Sequence, residues 1–254
     1  MISIKRVIPR EIKAAIWKLA SKHLHLERVL ASGYKIRISS YADWCIYNDI
    51  FVEGEYDLAI DAALQGLTTR VHFRLVDLGA NVGFFILRVL DRMRRRFETP
   101  LRTSILCVEA SPSLKVELEA RVGTTRDERT SVTIVTGLVG EQTGSATLEF
   151  ASSEVMNRIS RDASSGPRLP FVDLDMFLYD IEEIDLLKCD IEGSESKFLR
   201  NYSGILRRAR VAVFEFHQPE CALEPEMRAL KEAGFSRSTL LLDQGMARTV
   251  LFER

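Results

Sequence analysis

The sequence lacks the apolar run of about 20 residues that a membrane-spanning helix requires. Its N-terminus also lacks the apolar stretch and small-residue cleavage site of a signal peptide. Neither sign of charge dominates, because 35 basic and 36 acidic residues leave a formal net charge of −1. Proteins that bind phosphate backbones usually carry a basic excess. We therefore expect a cytoplasmic protein with neither a membrane nor a nucleic acid as its partner.

Two further absences narrow the chemistry. The four cysteines are scattered, with no C-x-x-C pair and no cluster of histidines beside them: Cys45, Cys107, Cys189 and Cys221. This scatter argues against disulfides and against a zinc site, and it predicts small buried thiols in a reducing compartment. The fingerprint G-x-G-x-x-G of nicotinamide-dependent dehydrogenases is also absent. A dehydrogenase stays open as an alternative function, but this absence counts against it.

Short apolar runs alternate with amphipathic segments from about residue 73 to the C-terminus. The runs predict buried strands, and the segments between them predict helices. The strands are Phe73–Leu78, Ser104–Val108, Val132–Val135, Ile184–Cys189 and Arg210–Phe216, followed by a closing antiparallel pair, Phe235–Leu242 and Thr249–Phe252. The helices are Gly83–Phe97, Pro112–Val122, Ser194–Tyr202 and Pro225–Gly234. This order predicts an α/β fold with a Rossmann-like, mostly parallel sheet that ends in an antiparallel hairpin.

The N-terminal quarter has a different pattern. Apolar residues recur at helical spacing from Pro9 to about Leu30, and Asp57–Leu67 predicts another helix. We therefore predict an N-terminal helical extension or lid over residues 1–68, followed by the Rossmann-like domain over residues 69–254. Within that domain, the polar segment Ser152–Pro170 predicts a mobile loop.

The strongest functional signal is the turn Asp77-Leu78-Gly79-Ala80-Asn81-Val82-Gly83, which joins a predicted strand to a predicted helix. Gly79 allows a sharp turn, and Asn81 is a residue that tolerates positive φ. Gly83 allows the helix to pack closely on the sheet. The N-terminus of that helix presents free N–H groups and a positive dipole end, which favour an anionic ligand.

A second element occurs where an adenosine ligand needs it. Glu109 ends the next predicted strand, in Cys107-Val108-Glu109-Ala110-Ser111-Pro112. A carboxylate at this place can accept both ribose hydroxyls. Several adenosine cofactors use this geometry, so Glu109 predicts an adenosine ligand without saying which one.

Three segments carry a more specific pattern: Val-Asp-Leu-Gly-Ala-Asn-Val-Gly at Val76–Gly83, Val-Glu-Ala-Ser-Pro at Val108–Pro112, and Asp-Leu-Leu-Lys-Cys-Asp-Ile-Glu-Gly-Ser-Glu at Asp185–Glu195. Together with Ile50–Asp57 they resemble the FkbM family of S-adenosylmethionine (SAM)-dependent O-methyltransferases. The resemblance extends from about Ile50 to His217. Two departures indicate an outlying subgroup with its own substrate: Ala110 stands where the family often has proline, and Glu119-Ala120-Arg121 where it often has asparagine.

The resemblance implies a class I methyltransferase sheet and SAM as the cofactor. It also implies methyl transfer to a hydroxyl of a small molecule, such as a sugar or a secondary metabolite in natural product biosynthesis. A non-catalytic SAM- or nucleotide-binding module and a homodimer both stay open. From the motifs we expect the cofactor to contact Asp77, Gly79, Ala80, Asn81, Gly83, Phe84, Glu109, Ala110 and Ser111, with Tyr56 over its methionine end.

Catalytic groups are expected just beyond the fourth and fifth core strands, where the acceptor hydroxyl would lie. One interpretation makes His217 a general base. A second has Asp190, with Glu215 or His217, hold a divalent cation such as magnesium that acidifies the hydroxyl. In the third, Asp190 and Glu192 only order the loop beside the cofactor. The sequence leaves these three alternatives open.

Overall fold

A computed structural model of the chain describes residues 26–65, 67, 71–150, 157–160, 166–221 and 223–254. Most of the helix predicted from Pro9 lies outside these residues, and for its last part the prediction of a helix is wrong. Leu26–Val29 (β1) instead pairs antiparallel with Lys35–Ile38 (β2). In β2 the buried side chains of Ile36 and Ile38 alternate with exposed ones, which is the period of a strand and not of a helix.

The segment between this hairpin and the main sheet is helical. It consists of α1 (Tyr41–Tyr47), a π-helical turn (Asn48–Glu53) and α2 (Asp57–Gln65), so the helix predicted at Asp57–Leu67 is confirmed. Ser40 caps α1, because its hydroxyl accepts the Asp43 N–H at 2.9 Å. Gly54 ends the π-helical turn in the left-handed conformation.

The predicted strands of the core are all present, and their ends differ from the prediction by no more than two residues. They are β3 (His72–Leu78), β4 (Arg102–Glu109), β5 (Thr130–Thr136), β9 (Ile184–Cys189), β10 (Ala209–His217), β11 (Arg237–Asp243) and β12 (Ala247–Glu253). Their spatial order is β5–β4–β3–β9–β10–β12–β11. The first five strands in that order run parallel, and β12 is antiparallel to both of its neighbours. The predicted α/β sheet with its closing antiparallel hairpin is confirmed.

Helices cover both faces of this sheet, as a parallel sheet requires. They are α3 (Phe84–Arg96), α4 (Pro112–Gly123), α5 (Asp175–Leu178), α6 (Glu195–Asn201), α7 (Ser203–Arg208) and α8 (Glu224–Glu232). One core joins α2, α3 and α4 to one face of the sheet, and a second joins α5 to α8 to the other face. Ile36, Ile38 and Ile60 belong to the first core, so the packing does not divide at the predicted boundary after residue 68. Among the described residues, no helix is both long and apolar enough to cross a membrane.

The crossover from β5 to β9 contains a small sheet where a long helix would be usual. Its strands are β6 (Ser145–Phe150), β7 (Asn157–Ser160) and β8 (Arg168–Pro170), with β6 in the middle. The prediction of a mobile loop over Ser152–Pro170 is therefore wrong for β7 and β8. Both strands pair antiparallel with β6. This pairing provides hydrogen-bond partners for their backbone groups, which the polar composition of the segment did not indicate.

The strand order reverses between β3 and β9, and the backbones at the ends of these two strands approach each other closely there. The N–H of Asp190 donates to the Leu78 carbonyl at 3.0 Å, which brings the carboxyl ends of the two strands together. Gly79 follows at φ 78°, and a Cβ atom at this position would overlap the carbonyl oxygen of Asp190. Ligands of such sheets bind at this reversal, so the residues around Gly79 and Asp190 are the candidates for a binding site.

The overlap at Gly79 predicts a defect in folding and not only in ligand binding. Gly79→Ala should lower the free energy of unfolding by more than about 4 kcal/mol, because backbone atoms of two strands would have to separate. Gly123→Ala is the matched control, since a Cβ there meets nothing within 4 Å. It should change stability by no more than about 1 kcal/mol. Urea unfolding measures both, and a stable Gly79→Ala protein would contradict the packing.

Candidate active site

The turn after β3 is held by the neighbouring strand. The N–H groups of Gly79 and Ala80 both donate to the Val108 carbonyl, at 2.9 and 3.0 Å. Asn81 adopts φ 49°, so the expectation of positive φ at this asparagine is confirmed. Gly83 is at φ 85°, and a Cβ there would lie 2.6 Å from Val122. Gly83 thus allows close packing, but against helix α4 and not against the sheet.

Glu109 fixes the geometry of this turn from the end of β4. Its carboxylate accepts the Asn81 N–H at 2.8 Å and the Ser111 N–H at 2.7 Å. Burial raises the pKa of Glu109, and the two N–H groups and the charge of Lys188 oppose that rise. Each carboxylate oxygen has a second lone pair, so Glu109 can still accept hydrogen bonds from a ligand.

A cleft of about 650 Å³, counted to its open mouth, lies over this turn. Of the predicted cofactor residues, the structure brings Gly79, Asn81, Glu109 and Ala110 to its wall. Asp190 and Glu192 line the same cleft, so the two sequence motifs meet at one site.

The opposite wall of the cleft was not predicted from the sequence. It is formed by Gly137, Leu138 and Val139 after β5, and by Leu148 on β6. The apolar run that continues past the end of β5 into Gly140 is the signal that could have found the first three. Leu148 had no such signal, because it reaches the cleft only through the small inserted sheet.

Other predicted cofactor residues lie beneath the cleft and do not line it. Asp77 is fully buried, and Lys188 lies 3.5 Å from its carboxylate. Burial raises the pKa of Asp77 to about 6, against the opposing charge of Lys188. Ser111 caps α4, Phe84 packs edge-on against Phe51, and Ala80 and Gly83 are buried in the turn. These residues support the site from below.

Lys188 connects the turn to the acidic loop after β9. Its Nζ donates to the Gly79 carbonyl at 3.0 Å and to the Asp190 carboxylate at 3.3 Å. Burial alone would lower the pKa of Lys188, but the charges of Asp190 and Asp77 outweigh that effect and raise it. Lys188 is therefore a fixed cation that holds the two strand ends in place.

A histidine and four acidic side chains converge at the ends of β9 and β10. The Nδ1 atom of His217 lies 3.0 Å from the carboxylate of Glu195, which is itself fully buried. Glu195 also accepts backbone N–H groups from the loop after β9, so its position is fixed. On its other side, His217 presents Nε2 to Glu192 at 3.5 Å, Glu215 at 3.6 Å and Asp190 at 4.0 Å.

These carboxylates change how His217 titrates. Burial would lower the pKa of His217, but the hydrogen bond with Glu195 and the charges of Asp190, Glu195 and Glu192 raise it to about 10. His217 is therefore an imidazolium at neutral pH and carries no lone pair with which to accept a proton. The role of His217 as a general base stays a prediction, and in this environment it would require His217 to lose its proton first.

Burial also affects the two glutamates that face Nε2. It raises the pKa of Glu192 and of Glu215 to about 8 in each case, and the nearby charge of Asp190 adds to the rise. Glu192 further holds its backbone at φ 52°, a conformation that side-chain-bearing residues seldom adopt. The cluster thus resists the ionisation of all its carboxyl groups at once.

The same cluster offers ligands for a cation. One atom each from Asp190, Glu192 and His217 lie within 4.8 Å of one another. Carboxylate oxygens and an imidazole nitrogen are suitable donors for several divalent metals. Asp190 and His217 were both named as possible metal ligands from the sequence and belong to this group, whereas Glu215 does not. Glu192, which one interpretation assigned only to loop order, is the third member.

Tyr56 lies at this cluster and not over the cleft of Gly79. Its hydroxyl donates to Glu215 at 3.3 Å, and its buried ring meets Phe85 edge-on at 5.1 Å. The adjacent Glu55 accepts a hydrogen bond from Thr249 at 2.6 Å. The segment predicted as a lid thus packs as a wall beside the cluster.

Comparison with known proteins decides the family. The profile of the methyltransferase FkbM domain matches residues 77–237, which include the turn after β3, Glu109, the acidic loop and the end of β10. The chain belongs to the FkbM methyltransferase family. It is therefore a SAM-dependent methyltransferase, and the dehydrogenase alternative is set aside. No curated protein matches the chain significantly by sequence.

Solved methyltransferase structures are similar at low sequence identity. A human methyltransferase 10 domain-containing protein is 12% identical, with all of this chain and 98% of that one covered at a TM-score of 0.49. A precorrin-6y C5,15-methyltransferase from Geobacter metallireducens GS-15 is 11% identical, with coverage of 77% and 88% and a TM-score of 0.42. An rRNA methylase from Streptococcus thermophilus is 11% identical, with coverage of 80% and 95% and a TM-score of 0.43.

The titration of the cluster predicts how stability depends on pH. In the fold, the glutamate pKa values are raised from 4.5 to about 8 and that of His217 from 6.5 to about 10. Each group therefore favours its protonated form in the native state. Its contribution is greatest below the unfolded pKa and is lost as pH rises through the folded pKa. Without divalent cations, these groups should make the melting temperature fall between pH 5 and 10.

A double variant isolates this effect. Glu192→Gln/Glu215→Gln should melt close to the wild type at pH 5 and several degrees above it at pH 9, since 1 kcal/mol corresponds to about 2–4 °C at this size. Glu119→Gln/Glu128→Gln is the control, because both of its glutamates are exposed. Equal melting temperatures for the cluster variant and the wild type at pH 9 would contradict the electrostatic account.

Proposed function

We propose that this methyltransferase transfers the methyl group of SAM to a hydroxyl of a small molecule, at the cluster of Asp190, Glu192, Glu215 and His217. The observation that carries the proposal is the position of this cluster. Asp190 and Glu192 line the cleft that Glu109 and Gly79 also line, and His217 and Glu215 face them from the next strand. A cofactor in the cleft and an acceptor at the cluster would be neighbours.

The cofactor end of the cleft has groups that suit SAM. Glu109 retains acceptor capacity for ribose hydroxyls, and the start of α3 presents backbone N–H groups that favour a carboxylate. The apolar wall of Leu138, Val139 and Leu148 suits a flat heterocycle. When bound, SAM supplies the electrophilic methyl group, and the chain itself holds donor and acceptor in line.

The acceptor end lacks a free base at neutral pH, since His217 is charged. A divalent cation held by Asp190, Glu192 and His217 would resolve this difficulty: it would displace the Nε2 proton of His217 to solvent on binding, and it would lower the pKa of a hydroxyl bound to it. Glu195 supports this arrangement. Its carboxylate accepts a hydrogen bond from the N–H at Nδ1 of His217, so that Nε2 is directed towards the other carboxylates. Magnesium and manganese are the cations that the oxygen-rich donor set favours.

Binding of the demethylated cofactor tests the role of Glu109. Glu109→Gln keeps one acceptor oxygen for the backbone of the turn but removes the charge, so affinity for S-adenosylhomocysteine should fall by about 1.5–3 kcal/mol. Glu119→Gln on α4 is the control and should bind normally. Calorimetry measures both, and unchanged affinity of Glu109→Gln would mean that the ribose lies elsewhere.

The mechanism of proton removal from the acceptor is tested with methyl-labelled SAM and a panel of sugars and phenols. If the cation acidifies the acceptor, a chelator should abolish transfer, and magnesium or manganese should restore it. Asp190→Asn and Glu192→Gln should each lower the rate roughly 10²–10⁴-fold, the range expected when proton removal loses its catalyst. Binding of S-adenosylhomocysteine should stay near normal in both variants.

Glu220→Gln provides a control, since it neutralises an acidic residue on the loop just beyond the cluster. Full activity in chelator, together with full activity of Asp190→Asn, would eliminate the cation from the mechanism. Transfer to amines with none to hydroxyls would replace O-methylation with N-methylation at the same site.

A further inference from the structure

A second cavity lies on the opposite end of the sheet from the cleft, at the amino ends of β3, β4 and β5. Its volume is about 190 Å³. It exists because the crossover from β5 to β9 covers this part of the sheet only with the four residues of α5 and the turn that follows. The walls are apolar and come from Phe177, Leu178, Ile181 and Ile184.

The floor of this cavity is polar. Arg74, Ser104 and Ser131 are direct neighbours across β3, β4 and β5, so their side chains share one row on one face of the sheet. The hydroxyl of Ser131 donates to that of Ser104 at 3.2 Å, and His72 contacts Ser104 at 2.8 Å. A row of hydroxyls beside a guanidinium is an anion-binding surface.

The charge of Arg74 is not neutralised within the described part of the chain. No described carboxylate forms a salt bridge with its side chain, and its Nε atom is buried without a hydrogen-bond partner. The carboxylate of Asp185 accepts the backbone N–H of Arg74 at 2.8 Å and lies 3.8 Å from Arg210. The side chain of Arg74 also lines the cavity, so an anionic ligand there would neutralise a charge that the described carboxylates leave unpaired.

We propose that this cavity is a binding site for a small aromatic carboxylate, whose carboxylate pairs with Arg74 while its ring lies between Phe177, Ile181 and Ile184. The size fits, since a cavity of about 150 Å³ holds benzene and this one is somewhat larger. A bare inorganic anion would leave the apolar walls uncovered, and a neutral ring would leave Arg74 unsatisfied. The site is separate from the cleft and does not depend on which acceptor is methylated.

The test uses 4-fluorobenzoate and the full chain, followed by fluorine NMR in the presence and absence of saturating S-adenosylhomocysteine. Binding should occur in both conditions, because the two sites lie at opposite ends of the strands. Benzyl alcohol and inorganic phosphate should bind at least about tenfold more weakly. Displacement of the probe by S-adenosylhomocysteine, or equal binding of benzyl alcohol, would overturn the proposal.

Two variants locate the site. Arg74→Gln should weaken 4-fluorobenzoate binding about tenfold to hundredfold, whereas Arg102→Gln, an exposed arginine at the same end of the sheet, should not change it. Phe177→Ala removes an exposed wall residue and serves if Arg74→Gln does not fold. Normal binding by Phe177→Ala and by a folded Arg74→Gln would exclude this cavity, as would no binding of the probe to the wild type.

Discussion

The contact between the ends of β3 and β9 is the constraint on which the rest of the site depends. Gly79 has to be glycine because the Asp190 carbonyl occupies the space of its Cβ atom, and Lys188 Nζ holds the Gly79 carbonyl at 3.0 Å. With the two ends fixed, the N–H groups of the turn meet Glu109 and the acidic loop faces the cleft. One backbone approach therefore sets the distance between the turn after β3 and the acidic cluster.

The cluster around His217 is electrostatically strained in a way that the surroundings of Glu109 are not. Around Glu109, backbone N–H groups compensate the buried carboxylate. Around His217, three carboxylates face a single imidazolium, and burial raises the pKa values of Glu192 and Glu215. Such a concentration of charge costs stability and is typical of sites that act on a ligand. The fold tolerates it because Glu195 and Lys188 hold the group from two sides.

The strands, the class I sheet and the turn after β3 could be predicted because local patterns specify them. Buried apolar runs give parallel strands, and Asn81 and Gly83 suit positive φ. The residues that sequence reasoning missed depend on distant contacts. Leu148 reaches the cleft through the inserted sheet, and the raised pKa of His217 comes from residues 22 to 27 positions away in the chain. The strand at Leu26–Val29 was missed because its partner strand, and not its own periodicity, decides its conformation.

Strand β10 carries groups at both of its ends. Glu215 and His217 lie at its carboxyl end, and Glu215 accepts a hydrogen bond from the Tyr56 hydroxyl. At its amino end, Arg210 donates hydrogen bonds to the carbonyls of Ala62 and Ala63 in the last part of α2. The wall formed by Tyr56 and α2 is thus hydrogen-bonded to β10 at both ends of that strand. It cannot swing outward without breaking contacts at both ends. If the proposed O-methylation takes place at this cluster, the acceptor would have to enter through the open mouth of the cleft and not by displacement of this wall.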